Sequence, residues 1–240
     1  MAGHSKWANI KHRKGAQDAK KGKIFTKIIK EITVAARLNG GDQDSNPRLR
    51  RAVSNARSNN MPQNKIIRAI KKGTGELEGI NYEECIYEGY GPCGIAIIIE
   101  VITDNKNRTV SELRYILNKN NGSLSEPGSV LWMFEKKGEI IIENIDDDEN
   151  QVLSDIIDCG ADDFKKTHSG YIIITNQNEL SLTRTRLENL KYSIISSNIV
   201  MIPKSTQTID SKDQIKIIQL LEVIDNHEDV NQVFSNISIE

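Results

Sequence analysis

The chain has 240 residues, of which 38% are apolar and 27% are charged, and its 32 basic side chains almost balance 33 acidic ones. This composition is typical of a folded globular protein and excludes the disordered class, in which few apolar residues accompany a high net charge. The longest uninterrupted apolar runs, residues 95–99 and 130–134, have five residues each and are too short to cross a membrane, so we expect a cytoplasmic protein with no membrane partner.

The first 22 residues form a basic arm without an apolar period or the apolar stretch of a signal peptide. Its single large aromatic residue is Trp7. The other side chains that we assign to a binding surface on the arm are His4, Ser5, Lys6, Lys11, His12, Arg13, Lys14 and Lys20. Lysine and arginine neutralise phosphates. Trp7 either stacks on an exposed base or ribose or packs back on the neighbouring helices, and the sequence supports both interpretations equally.

Residues 23–38 are predicted to form an amphipathic helix, because their apolar side chains recur at helical spacing and an Asn-Gly-Gly sequence follows. On a helical projection, Lys23, Lys27, Lys30 and Arg37 gather within about 80° on the side opposite the apolar stripe. We therefore predict a continuous basic outer face on this helix.

Two further short helices follow. The second begins at Asn46 and Pro47, an N-cap followed by proline at the first helical position. The third covers residues 62–72, with Ile66, Ile67 and Ile70 predicted inside. The basic side chains predicted to point away from the two apolar stripes are Arg48, Arg50, Arg51, Arg57, Lys65, Arg68 and Lys72. Three amphipathic helices of this length predict a small bundle.

Basic charge is concentrated in this part of the chain. Residues 1–72 contain 18 basic and 4 acidic side chains, a net charge of +14, whereas residues 73–240 carry a net charge of −15. One alternative is an AT-rich genome, which inflates lysine everywhere. Arginine argues against it, because 7 of the 11 arginines lie in the first 72 residues. The pattern favours a surface that binds a polyanion over a merely solvated basic face.

The remaining chain alternates strands and helices after a Gly-Thr-Gly linker at residues 73–75. Strands are predicted at 82–87, 95–102, 130–135, 139–143, 162–166, 171–175, 194–201 and 233–237, and helices at 108–118, 149–157, 181–190 and 212–224. Residues 139–203 thus follow the β-α-β-β-α-β order of a ferredoxin-like unit. Residues 80–135 lack one helix and one strand of a second α/β sandwich. The last predicted helix and strand, at 212–224 and 233–237, would complete it.

The predicted fold class is therefore α+β: an N-terminal three-helix basic domain followed by two α/β sandwich domains, one ferredoxin-like and inserted into the other. The predicted domains are residues 1–75, residues 76–135 together with 204–240, and the inserted residues 136–203.

Few residue patterns suggest chemistry. The glycines of residues 89–94 match G-x-G-x-x-G, but a strand rather than a helix follows them, so we interpret them as a turn. The acidic residues Asp146, Asp147, Asp148 and Glu149 precede a predicted helix, where carboxylates cap free N–H groups, and this favours capping over a cation site. Cysteines and histidines lack metal-ligand spacing. We expect no metal, no cofactor, no small-molecule substrate and no enzymatic activity.

Several long segments together resemble the YebC/PmpR family, which includes mitochondrial translational activators. The segments are residues 1–14, 22–27, 31–37, 46–50, 60–62, 68–75 and 87–92. The resemblance implies three domains and a non-enzymatic role, either as a DNA-binding transcriptional regulator or as a ribosome-associated factor that assists translation of proline-rich stretches. Two positions depart from the family pattern: Gly15 replaces the usual alanine, and Cys93 replaces a usual glycine.

The resemblance also transfers a binding surface onto this chain. The signature arm falls on His4, Ser5, Lys6, Trp7, Lys11, His12, Arg13 and Lys14, and the basic helical surface falls on Lys23, Lys27, Arg48, Arg50, Arg51, Arg68, Lys71 and Lys72. We predict a nucleic-acid-binding regulator of transcription. The alternative is a translation factor that binds ribosomal RNA or tRNA, because both targets are polyanions. A pure protein-interaction module would leave the charge of +14 unexplained.

Overall fold

The computed structural model describes residues 18–143, 149–167 and 170–238, with side chains described from residue 22 onward. The predictions for the arm from His4 to Lys14, for the side chain of Lys20 and for Asp146, Asp147 and Asp148 lie outside the described residues. Within the described part, none of the helices combines the length and apolar character needed to cross a bilayer.

The described residues contain seven α-helices and two antiparallel four-stranded sheets, which confirms the α+β class. In chain order the elements are α1 (Asp18–Asn39), α2 (Pro47–Ser58), α3 (Gln63–Gly73), β1 (Glu83–Tyr90), β2 (Ala96–Thr103), α4 (Lys106–Lys119), β3 (Ser123–Ser125), β4 (Phe134–Glu143), α5 (Glu149–Asp158), β5 (Asp163–Thr167), β6 (Gly170–Asn176), α6 (Leu180–Asn189), β7 (Ile194–Pro203), β8 (Gln207–Thr208), α7 (Ser211–Asp225), β9 (Val230–Ser235) and β10 (Ile237–Ser238).

The chain divides into two compact units. The first combines residues up to Phe134 with residues from Pro203 onward, and the second comprises residues 135–202. The second unit thus lies between the two segments of the first in sequence. A further boundary near residue 75, which would separate a helical domain from an α/β domain, stays a prediction.

Helices α1, α2 and α3 pack around a shared apolar core. Ile32, Leu49 and Ile66 contribute to this core and are fully buried. The predicted N-cap is confirmed, because the side chain of Asn46 accepts a hydrogen bond from the N–H of Leu49 at 3.0 Å. Two details of the prediction are wrong. Helix α1 already includes Asp18, five residues before Lys23, and the side chain of Ile67 is 45% exposed rather than buried.

The first sheet has the strand order β3-β1-β2-β9. Alternate residues of β2, including Ile97 and Ile99, face a core that α4 and α7 complete with Leu113 and Leu220. The sheet brings β9, from the end of the chain, beside β2. A short parallel pair, β8 with β10, belongs to the same unit.

The predicted strand at residues 130–135 is wrong for its first four residues and confirmed for the last two. Residues Leu131–Met133 form a 3-10 turn, and β4 begins only at Phe134. The cause is Glu88, whose buried carboxylate accepts hydrogen bonds from the N–H groups of Gly128, Val130 and Leu131 at 2.6, 2.7 and 2.8 Å. These donors are therefore not available to a neighbouring strand. Burial opposes ionisation of Glu88, but the three N–H groups hold its pKa below the ordinary value.

The second unit has the element order β4-α5-β5-β6-α6-β7 and the strand order β5-β6-β4-β7. The β-α-β-β-α-β order predicted for residues 139–203 is therefore confirmed. Side chains from the sheet and from both helices form its core; among them Ile140, Ile142, Ile156, Ile173 and Leu187 are fully buried.

The G-x-G-x-x-G segment forms a turn between β1 and β2, as its sequence context predicted. The N–H of Gly91 donates to the carbonyl of Ile95 at 2.8 Å. Cys93 has a φ of 59° and Gly94 a φ of 74°, so both lie in the left-handed region. A tight strand connection, and not a phosphate-binding helix start, uses these residues.

Candidate nucleic-acid interface

The predicted basic face of α1 contacts other parts of the first unit and is only partly an outer face, because Lys30 is buried and Lys27 half-buried whereas Lys23 and Arg37 are exposed. Lys27 pairs with the carboxylate of Asp225 at 3.8 Å and donates to its backbone carbonyl. Lys30 is only 7% exposed. Lys23 donates to the carbonyl of Asn226 at 3.4 Å. These cations face the end of α7 and the following loop within the first unit.

Arg37, the fourth cation of the predicted face, binds the segment that leads into β1. Its guanidinium donates to the side chain of Asn81 and to the carbonyl of Tyr82, directly before β1. All four cations therefore bind acceptors within the chain. Lys27 and Lys30 pair with carboxylates, those of Asp225 and Asp229, whereas Lys23 and Arg37 donate to uncharged oxygens.

The most enclosed of these contacts is centred on Asp229. Its carboxylate accepts from Lys30 Nζ at 2.5 Å, from Arg108 Nη2 at 2.7 Å and from Thr109 Oγ1 at 2.7 Å. Burial alone would raise the pKa of Asp229, but these donors outweigh it and hold the pKa well below the ordinary value. Asp229 thus ties α1 and α4 to the start of β9.

Arg48 is also engaged within the first unit. Its guanidinium pairs with Glu31 of α1 at 2.7 Å and with Glu84 of β1 at 2.5 Å. Burial opposes the charge of Arg48, but the two carboxylates raise its pKa above the usual value. Each of the two carboxylates accepts two hydrogen bonds from the guanidinium. Arg48 therefore links the helices to the sheet and does not point outward as predicted.

The remaining cations of α2 and α3 lie at the surface. Those with exposed side chains are Arg50, Arg57, Lys65, Arg68 and Lys71, and those with half-buried side chains are Arg51 and Lys72. Within the described part of the chain, neither Arg57 nor Arg68 forms an ion pair. Lys65 lies over the ring of Phe25, 5.4 Å from its centroid. We call these seven cations the outer basic surface.

Helical spacing places members of the outer basic surface in register along each helix. Arg50 and Arg57 are seven residues apart on α2, and Lys65 and Lys72 are seven residues apart on α3, with Arg68 between them. Side chains three, four or seven residues apart share one side of a helix. Each helix therefore presents a row of cations to solvent, which can contact successive phosphates of a nucleic acid.

One cluster of described residues has the ligand atoms of a cation site. Glu112, His227 and Asp229 bring one ligand atom each within 4.8 Å of one another. However, the Asp229 carboxylate is already bound by Lys30 and Arg108, and these positive charges disfavour an added cation. We interpret the cluster as a hydrogen-bonded chain and assign it no metal.

Sequence reasoning missed the acceptors Asp229, Glu31 and Glu84. Each is an ordinary acidic residue in an acidic context, and no local pattern marks it. One signal did exist for Glu31: it is the only acidic side chain in residues 19–41, within an otherwise basic helix. A lone carboxylate in such a setting indicates a specific cationic partner.

Comparisons with known proteins agree with this architecture. Residues 5–76 match the family model described as the TACO1/YebC protein N-terminal domain, and residues 82–237 match the model for the TACO1/YebC second and third domain. The structure superimposes on the crystal structure of a conserved hypothetical protein from Aquifex aeolicus with a TM-score of 0.87 and 43% sequence identity. That match covers 93% of this chain and 92% of the other.

Curated relatives extend over the whole chain. A protein of Thermotoga petrophila is 51% identical over 100% of this chain and 95% of its own length, and one of Desulfosudis oleivorans is 48% identical over 100% and 97%. Both are described as probable transcriptional regulatory proteins. Fold and surface thus define an α+β protein with a basic helical segment near its N-terminus. The chain belongs to the TACO1/YebC family.

Proposed function

We propose that this protein is a non-enzymatic, DNA-binding regulator of transcription that contacts nucleic acid through the outer basic surface and the N-terminal arm. The proposed contacts on the helices are Arg50, Arg51, Arg57, Lys65, Arg68, Lys71 and Lys72. Lys27 and Arg48 are left out because they pair with carboxylates of the first unit, and Lys23 is left out because it lies one turn before Lys27 and donates to the carbonyl of Asn226. The protein would act in the cytoplasm, where its target lies.

The observation that carries this proposal is the division of the basic charge into two sets. One set is bound by carboxylates and carbonyls of the chain itself, as Lys30 and Arg48 illustrate. The other set, on α2 and α3, remains at the surface. Of this set, Arg50 donates to the carbonyls of Gln43 and Asp44 and Lys71 pairs with Glu76 at 3.8 Å, whereas Arg57 and Arg68 have no acidic partner among the described residues. Exposed, unpaired cations on one structural segment supply the counterion release that drives nucleic-acid binding.

Two further points support the proposal. The curated relatives are described as probable transcriptional regulatory proteins, which favours regulation of transcription as the role. In addition, two of the buried carboxylates, Glu88 and Asp229, are saturated with donors from the chain, so both serve the fold and neither is available for acid–base chemistry.

The experiment compares two charge-matched double variants of the full chain on a labelled DNA duplex over a range of salt concentrations. Arg57→Gln with Arg68→Gln removes two exposed cations, and Lys23→Gln with Lys27→Gln removes two engaged ones. The first variant should flatten the log-log salt slope by about two units, because roughly 0.9 counterions per phosphate are no longer released. The second should leave the slope unchanged.

Equal slopes for both variants and the wild type would contradict the proposal. Sedimentation of the native protein adds a test of the target. Association with the nucleoid supports the DNA regulator, whereas association with ribosomes that RNase abolishes would assign the outer basic surface to ribosomal RNA.

A further inference from the structure

Helix α4 carries basic charge in the middle of an acidic sequence. Residues 73–240 have a net charge of −15, yet the 14 residues of α4 contain four basic side chains and one acidic one. Two of the four are neutralised nearby: Lys106 pairs with Glu83 at 2.5 Å, and Arg108 pairs with Asp104 and Asp229. Two cations remain on the exposed side of the helix.

These two cations, Arg114 and Lys119, lie close in sequence to an exposed aromatic residue on the same helix. Tyr115 is 65% exposed, and the ammonium of Lys119, one turn later, lies 5.7 Å from the centre of its ring. Arg114 directly precedes Tyr115, is exposed, and forms no ion pair among the described residues. An exposed aromatic ring with cations nearby is the arrangement that single-stranded nucleic acids bind, since a base stacks on the ring and the cations contact phosphates.

An open hollow of about 400 Å³ lies beside this ring, lined by Ser111, Glu112, Tyr115, Ile116 and His227. Hydrogen bonds fix the orientation of the two polar side chains His227 and Glu112 in its wall. His227 Nδ1 accepts from the N–H of Asp229 at 3.1 Å, so the proton is on Nε2, which donates to Glu112 at 2.7 Å. The carboxylate of Glu112 repels phosphate but can accept from the amino and imino groups of a nucleobase.

We propose that the outer face of α4 is a second nucleic-acid contact, which binds an unpaired nucleobase against Tyr115 in this hollow and the adjoining phosphates on Arg114 and Lys119. This inference rests on the proposed function, because it gives that function a second site. It assigns to α4 a preference for unpaired strands, which expose base faces, over duplexes, in which each base is already stacked.

The test uses the full chain with oligothymidine, oligouridine and a DNA duplex. Tyr115→Ala should weaken binding of at least one single strand about tenfold, with the salt slope and duplex affinity unchanged, because only stacking is lost. Tyr115→Phe should bind like the wild type.

A second pair of variants tests the phosphate contacts. Arg114→Gln with Lys119→Gln should flatten the salt slope for single strands by about 1.4 units. The charge-matched control Lys136→Gln with Lys165→Gln should leave that slope unchanged. Thermal unfolding checks that each variant folds.

Unchanged affinity of Tyr115→Ala for both single strands would overturn the inference. Cross-linking gives an independent result: a strand carrying 5-bromouracil should cross-link to the peptide containing Tyr115 in the wild-type protein, and cross-links confined to other peptides would contradict it. The same experiments separate failure of this inference from failure of the proposed function. If only the α4 contact is wrong, Arg57→Gln with Arg68→Gln still flattens the salt slope for duplex DNA. If the proposed function is wrong, that double variant leaves the duplex slope unchanged.

Discussion

The ammonium of Lys30 and the carboxylate of Asp229 lie 2.5 Å apart, although 199 residues separate them in the chain. Their side chains are 9% and 4% exposed. Arg108 and Thr109 of α4 bind the same carboxylate, at 2.7 Å each. The contact therefore connects the helices near the N-terminus with the sheet that contains β9. Because the charges are buried, removing one partner leaves the other without compensation.

We expect Lys30→Met to destabilise the first unit by about 3 to 5 kcal/mol, since it leaves the buried carboxylate of Asp229 with one cation fewer. Urea unfolding followed by tryptophan fluorescence measures the change, since Trp132 lies in this unit. Lys23→Met is the matched control. Lys23 is exposed and hydrogen-bonded only to a carbonyl at 3.4 Å, so its loss should cost less than about 1 kcal/mol. Equal costs for the two variants would contradict the structural role of Lys30.

The stability that Asp229 supplies should disappear in acid. Its pKa in the folded protein is lowered from an unfolded value of about 3.9, so folding favours the ionised form. The contribution is complete at neutral pH and shrinks as the pH falls below about 4, toward the folded pKa. The difference in unfolding free energy between the wild type and Asp229→Asn should therefore be large at neutral pH and decrease in acid. A difference that stays constant down to acidic pH would show that the carboxylate is not ionised in the fold.

The elements that follow from local signals were predictable from the sequence. Asn46 and Pro47 mark the start of α2 by their own chemistry, and the apolar period of the second unit sets its β-α-β-β-α-β order. The fate of Lys30 was not predictable. A helical projection places Lys30 opposite the apolar stripe of α1. That position is the same whether the face is solvated or packs against a carboxylate far away in the sequence, so the projection cannot distinguish the two.

Residues 130–135 illustrate the same limit. Their apolar and aromatic composition favours a strand, and only the carboxylate of Glu88, from β1, removes the N–H groups of Val130 and Leu131 from strand pairing. Arg48 is a third case, because its partners Glu31 and Glu84 lie on two other elements. Tertiary contacts of polar groups decide these positions, and no sequence period reports them.

Cys93 should be replaceable by glycine with a gain in stability. Its φ of 59° lies in the left-handed region, which costs an L-residue about 1 to 2 kcal/mol and glycine very little. The exposed Cys93 thiol donates a hydrogen bond to the carboxylate of Asp213 at 3.7 Å. Cys93→Gly should therefore unfold at a higher temperature than Cys93→Ala, which keeps the strain without the thiol. Differential scanning calorimetry measures both, and a less stable glycine variant would contradict the strain argument.

The arm is predicted to combine electrostatic and stacking contacts, and two variants separate these terms. If Trp7 stacks on a base or ribose, Trp7→Ala should cost about 1 to 3 kcal/mol of binding and leave the salt slope unchanged, because no counterion release is lost. Lys11→Gln with Lys14→Gln should instead flatten the slope by about two units and weaken binding to every sequence alike. If Trp7 is a core anchor, Trp7→Ala should cost about 3 to 5 kcal/mol of stability in the free protein. Salt-dependent affinity and thermal unfolding of the same variants decide between the two interpretations: lost stability with unchanged affinity would remove Trp7 from the binding surface and leave the arm purely electrostatic.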